Sequence, residues 1–221
     1  MLEVTIAIVV IALIMAAIVA SDTIKERQSL NQVMLDIDII NSAVTAYQDT
    51  YSSVPGDSSN AQTLFGETNV GNKVADGNGD GNGDGDGELE DNLTTPSRDE
   101  NLLAWQHLRA SGLITTGTYD GSTTGEGGLY EGSFKNVYYY LETDDSESDA
   151  LYLLLSKVVS NSPAQGAFST KQAAGIDGAI DDGDPQTGTI RSYDGSDQTA
   201  NDCIDSNGEY NLGNTESYAC I

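Results

Sequence analysis

The sequence predicts an α+β protein in which a long N-terminal α-helix packs on a small globular head of antiparallel β-sheet, short helices and long acidic loops. Three observations predict it. No Gly or Pro occurs from Met1 to Tyr51. Beyond that stretch, two runs rich in Tyr, Val and Leu flank an acidic connector, as the strands of a hairpin do. The remaining segments are dense in Gly and Asp, which form turns rather than cores. The 221 residues suffice for one domain with an appendage and exclude a multidomain enzyme.

The first element is justified by two patterns in succession. Residues 4 to 21 carry no charge and only Thr5 and Ser21 as polar side chains. At about 1.5 Å per residue such a run nearly crosses a hydrocarbon core. It opens Met1-Leu2-Glu3 with no basic head, unlike a cleavable secretory signal, so a membrane helix is expected. Farther on, Leu30, Val33, Ile37, Ile40, Val44, Tyr47 and Tyr51 recur at alternating steps of three and four, which lays one apolar stripe along a helix. Together these patterns describe one helix of about 50 residues, roughly 75 Å long. Residues 1–23 form its membrane or filament-core half and 24–53 its amphipathic half, with Pro55-Gly56 ending it and residues 54–221 forming the head. Glu3 costs several kcal/mol in lipid unless it sits at the interface or is paired, and an amine of a neighbouring chain is a suitable partner.

The start, Met1-Leu2-Glu3-Val4-Thr5-Ile6-Ala7-Ile8-Val9-Val10-Ile11-Ala12, resembles the prepilin-type N-terminus of the type IV pilins and the pseudopilins of type II secretion. Weaker resemblances follow in order: Val54-Pro55-Gly56-Asp57, then Glu100 with Ala104-Trp105-Gln106-His107-Leu108, and Ile176-Asp177 with Asp181-Asp182-Gly183. The resemblance implies a pilin-like fold and a subunit that polymerises into a helical filament, with Glu3 neutralising the terminal amine of its neighbour. It also implies a prepilin peptidase, an assembly machinery, a precursor in the cytoplasmic membrane and a product at the cell surface. Glu3 lies a little nearer the start than in the family pattern, which implies a processed chain short of a residue or two. The helix lacks the Gly or Pro at which family members unwind.

In the head, Val54 to Ala61 reads as a turn and loop. Ser97 or Asp99 can cap a helix from Glu100 to Ser111, with Gly112 as its stop. Trp105 reads as an anchor of its helix on the core and His107, the only histidine, as packed or exposed rather than catalytic; with no second His, nearby reactive Cys or nucleophile motif, no catalytic triad can be assembled and no enzyme is expected. Asn136 to Leu141 and Ala150 to Leu155 read as a hairpin, although the second run also suits a helix. Ser169 can cap a helix from Thr170 to Ile180, and Thr187 to Ser192 reads as a strand. Cys203 and Cys220 should be bonded in an exported protein, closing a loop worth about 3 kcal/mol in the chain-entropy model. A disulfide-closed C-terminal loop also resembles the pilin pattern.

Charge narrows the partners. Acidic residues number 35 against 9 basic, a net charge of -26, so no nucleic acid is expected and cations are. The densest segment, 76–91, places Asp76, Asn78, Asp80, Asn82, Asp84, Asp86, Glu88, Glu90 and Asp91 among alternating glycines. Oxygen ligands with Gly between them can wrap one hard cation, and an oxygen-only set selects Ca²⁺ over zinc or copper. An EF-hand-like register fits from Asn82, with Asp84 and Asp86 third and fifth; starting at Asp80 instead makes Asp91 twelfth. The competing reading is a polar linker. Asp177, Asp181, Asp182 and Asp184 form a second candidate around a helix end, beside the plain reading of a solvated terminus. One or two structural calcium ions are expected. The function expected is a structural filament subunit; a secretion pseudopilin and a membrane-anchored calcium-dependent adhesion or binding module are the alternatives.

Overall fold

The computed structural model describes residues 2–70, 81–89, 100–119, 121, 128–132, 134, 136–144, 150–159, 162–195, 200–215 and 220, and within residues 2–26 only the side chains of Ile11, Met15, Ile24 and Lys25. The fold is α+β. Helix α1 spans Leu2–Tyr51 without interruption, as expected of a stretch lacking both helix breakers. It ends one turn ahead of Pro55-Gly56, because Ser52 turns left-handed (φ 55) and donates its N–H to the Gln48 carbonyl. Among the described residues no helix is long and apolar enough to cross a membrane. The uncharged run of residues 4 to 21 lies almost wholly outside the described side chains.

The stripe on the second half of α1 is the face that packs. Val33, Ile40, Val44 and Tyr47 are buried, Ile37 and Tyr51 partly so, whereas Leu35 and Ile39 on the opposite face are half exposed. Along its length this face serves two clusters. Val33 packs with Val137, Phe168, Ala173, Ile176 and the two cysteines; Ile40, Val44 and Tyr47 pack with Leu102, Trp105, Leu108 and the strand residues Tyr138 to Leu141.

The sheet is an antiparallel meander in the order β1 (Tyr130–Glu131), β2 (Val137–Asp144), β3 (Ala150–Val159) and β4 (Ser162–Gln165). The expected hairpin is its centre, running in register from Val137 opposite Lys157 to Asp144 opposite Ala150. The second run is therefore a strand, as its β-branched and aromatic neighbours across the ladder favour. Asn136 precedes the strand with φ 63, a conformation Asn tolerates. Tyr130 and Tyr139 both donate their hydroxyls to the buried carboxylate of Asp36, at 3.3 Å each, and Gln32 donates to it at 3.0 Å. Burial, then the Asp36 charge, pushes both phenols above their ordinary range and keeps them donors. This network ties α1 to the sheet by polar as well as apolar contact.

Among the described residues, three short helices complete the head. Helix α2 (Ala61–Phe65) starts at the last residue of the stretch expected to be turn and loop. Its nominal cap, Asn60, makes no side-chain capping bond; Asn82 instead accepts from the Gln62 N–H at 2.8 Å, so the helix start is capped from another loop. Helix α3 (Glu100–Ala110) stops at Gly112 (φ 78), as expected, while its proposed caps Ser97 and Asp99 lie outside the described residues. Trp105 and His107 are both fully buried in it. Helix α4 (Thr170–Ile180) starts at Ser169 with a full capping box closed by Gln172. Cys203 and Cys220 are bonded, and the Cys220 backbone pairs with Phe168 and bridges Asp194. The strand expected over Thr187 to Ser192 does not form. The N–H groups of Thr189 and Ile190 go to the Asp181 carboxylate instead, so no ladder can build on them.

Candidate metal centre

The acidic glycine loop folds against the turn that follows α1. That turn carries Asp57, 3% exposed, whose Oδ1 accepts from Gly85 N–H at 2.6 Å and whose Oδ2 accepts from Gly87 N–H at 3.2 Å. Asp84 and Asp86 each close an Asx turn, accepting from the N–H two residues on at 3.2 and 3.0 Å. The result is three carboxylates, Asp57, Asp84 and Asp86, with oxygens within 4.8 Å of one another. This triad could hold a metal ion. Two glycines make the approach possible: a methyl at Gly83 would collide with the Asp57 backbone, and Gly87 has φ 101.

The framework behind the triad comes from α3. Gly56 N–H donates to His107 Nδ1 at 2.9 Å; that nitrogen must therefore be bare, and Nε2 carries the proton donated to the Gly81 carbonyl at 2.9 Å. Burial pulls the His107 pKa down to about 4, so the ring is neutral at physiological pH. From the first turn of α3, Glu100 Oε1 accepts from Asp84 N–H at 2.9 Å. Downstream, Leu89 enters the core and its N–H donates to Thr143 Oγ1 of β2 at 2.8 Å. A groove of about 530 Å³, with Gln48, Tyr51 and Asn60 in its wall, opens beside Asp57 and Asp86 and gives solvent access to the triad.

The expected ligand set is thus redrawn. Asp84 and Asp86 converge, while Asn82 faces the start of α2 and Glu88 stands outside the triad. Asp76, Asn78, Asp80, Glu90 and Asp91 lie outside the described residues. Asp57, which the sequence reading places only in a turn, supplies the third carboxylate because the chain folds back onto its own loop. Its signal in the sequence was a lone Asp following Pro55-Gly56, far from the acidic run.

Burial, opposed by the Gly85 and Gly87 N–H groups and reinforced by the Asp86 and Asp84 charges, raises the Asp57 pKa to about 6. The cation-free folded chain therefore holds this proton between its ordinary value of 3.8 and about 6, where the unfolded chain does not. Stability contributed by Asp57 is full below that window and is lost as pH rises through 6. His107 acts oppositely, because its lowered pKa makes stability rise with pH from about 4 to the ordinary value of 6.5. Asp57→Asn isolates the first effect: in chelator, the wild-type melting temperature minus that of the variant should fall between pH 5 and 7.5. A flat difference would remove Asp57 from the pH response.

At the end of α4, the second candidate also assembles in part. Asp177, Asp181 and Asp182 converge and could hold an ion, but Asp184 turns aside and accepts from Gln186 N–H at 3.0 Å. Asp177 is buried, accepting from Gly183 N–H at 3.0 Å and from the Tyr210 hydroxyl at 2.8 Å, and burial raises its pKa. The N–H groups of Ile190 and Thr189 hold Asp181 below the usual carboxylate range. Here the carboxylates stitch the helix end to the disulfide-bearing segment. Glu3, the residue expected to act in assembly, lies in α1 with its side chain outside the description. No protein-family model matches the chain, and neither a curated protein nor a solved structure matches it.

Proposed function

We propose that the chain is the structural subunit of a type IV pilus-like filament, with a head stiffened by calcium. The observation that carries this reading is the division of labour along α1. Its second half has one buried face seated on the head, whereas the described side chains of its first half, Ile11 and Met15, are 59% and 62% exposed. Apolar side chains such as these two, exposed on an uninterrupted helix, call for lipid or other copies of the chain around them. In a filament the copies provide that cover, and growth exchanges lipid contacts for helix contacts. Before assembly the same segment holds the subunit in the cytoplasmic membrane; afterwards the acidic head faces water at the cell surface. The resemblance brings in a prepilin peptidase and an assembly machinery as partners.

Calcium follows from the chemistry of the first triad. Carboxylates alone, on a loop shaped by glycines, suit a hard cation with flexible coordination, and extracellular calcium is abundant enough to fill a weak site.

Electron microscopy of material sheared from expressing cells tests the reading. Long homopolymeric fibres are expected; short or absent fibres with an intact secretion defect on deletion would favour a pseudopilin, and membrane-bound monomer alone would favour an anchored binding module. Glu3→Ala should insert in the membrane as the wild type does yet enter fibres poorly. Normal incorporation of that variant removes Glu3 from assembly.

A further inference from the structure

We infer that His107 is the positioning residue of the Asp57, Asp84 and Asp86 centre, a post on α3 that holds two separate chain segments at the spacing where their carboxylates meet. The inference rests on the calcium reading of that centre. Residues 56 and 57 belong to the turn after α1, and residues 81 to 89 to the glycine loop; only tertiary contacts hold them together. Some of those contacts are made by the ligand atoms themselves. The bonds from Gly85 and Gly87 end on the Asp57 oxygens, which are the atoms a cation would take. Of the remaining backbone bonds, Gly83 N–H to the Ser58 carbonyl spans the two segments directly at 3.1 Å.

His107 adds a pair of bonds made wholly to backbone groups, away from the ligand oxygens. One ring nitrogen receives Gly56 N–H, next to Asp57; the other reaches the Gly81 carbonyl, three residues before Asp84. Because the imidazole is planar and rigid, the two bonded groups are held at a fixed separation. The ring itself cannot turn: it is fully buried, stacked on Tyr47 at 6.3 Å and 16°, with Phe65 at 6.5 Å. Tyr47 also reaches Ser58 Oγ at 2.9 Å, which seats the same turn. Glu100, two helical turns before His107 and so on the same face of α3, accepts the Asp84 N–H. Every one of these α3 contacts is to loop backbone. The helix thus sets the loop's path without drawing on the three carboxylates. Groups that orient a metal site from behind its ligands are typically worth 10- to 100-fold in affinity.

The test uses the full chain in detergent micelles with calcium itself as the titrant. His107→Gln can keep the donor to Gly81 but loses the acceptor for Gly56; His107→Asn does the reverse; His107→Phe keeps a ring and loses both. Calorimetric titration should show calcium affinity reduced about tenfold in each single-bond variant and about a hundredfold in His107→Phe. Hydrogen exchange of the amides of residues 81–89 should accelerate in the same order, with or without calcium, and imidazole ¹⁵N shifts of the wild type should report a proton on Nε2. Wild-type affinity in a folded His107→Phe, or in both single-bond variants if His107→Phe does not fold, overturns the inference, as does a proton on Nδ1. A wild type that takes up no calcium defeats the calcium reading instead. The exchange rates then decide, and unchanged protection of residues 81–89 in the variants overturns the post itself.

Discussion

Trp105→Ala lowers the melting temperature of the protein by roughly 10 °C. The indole is fully buried in α3, within 5.6 Å of the Tyr130 ring and 6.2 Å of the Tyr119 ring, in the cluster where α1, α3 and the sheet meet. Truncating a buried Trp to Ala costs about 3–5 kcal/mol, from lost transfer free energy and the cavity left behind. At about 2–4 °C per kcal/mol for a protein of this size, that is the shift stated. The loss is a large share of the 5–15 kcal/mol by which domains are typically stable. Trp105→Phe separates ring from N–H. Indole Nε1 finds no acceptor among the described residues, so losing that donor recovers part of what the smaller ring forfeits. Phe should therefore cost less than half as much as Ala. Thermal melting of the three proteins, followed by far-ultraviolet circular dichroism, decides it; an Ala variant within a degree of the wild type would mean that α3 is not seated as described.

Chelation is the second large effect. Binding to the folded state alone stabilises by about 2.7 kcal/mol when free calcium stands about a hundredfold above the Kd. Adding a chelator to calcium-loaded protein should accordingly lower the melting temperature by several degrees, and Asp84→Ala with Asp86→Ala should abolish that response. The cation-free state adds a sharper contrast. Asp84 and Asp86 are like charges beside Asp57 and help to raise its pKa, but their oxygens also accept backbone N–H groups; Asp84→Asn with Asp86→Asn, which keeps those acceptors and removes the charges, should therefore melt no lower than the wild type in chelator. Equal chelator sensitivity in both proteins would place the ion elsewhere; a double variant that melts lower under both conditions would give these carboxylates a purely structural part.

The elements were legible wherever their cause was local. The three-four stripe of α1, the capping signal at Ser169, the stop at Gly112 and the paired β-rich runs around residues 137 and 150 each depend on neighbours a few positions away, and each forms. Prediction failed where a distant group intervened. Thr187 to Ser192 has strand-like composition, yet Asp181 takes the N–H groups a ladder would need. Helix α2, which begins at the edge of the expected loop, carries no local start signal because its capping oxygen comes from Asn82. The same limit governed the metal centre. Oxygen chemistry and Gly alternation pointed to Asp84 and Asp86, but periodicity carries no sign that Asp57 would join them. Nor does a lone His at position 107 announce that its two nitrogens will grip glycines on either side of the site.

One habit recurs throughout the head. Asp57, Asp84, Asp86, Asp177, Asp181, Asp182, Asp184, Asp194 and Asp205 all use side-chain oxygens to accept backbone N–H groups of the loops around them. In evolutionary terms, the acidity of this head is a record of its architecture. An aspartate that draws in a loop by its reach cannot drift to glutamate, one carbon longer, or to alanine without releasing that loop. Exchange for asparagine preserves the acceptor and discards only the charge. The turns, as well as the core, therefore constrain which sequences keep this shape.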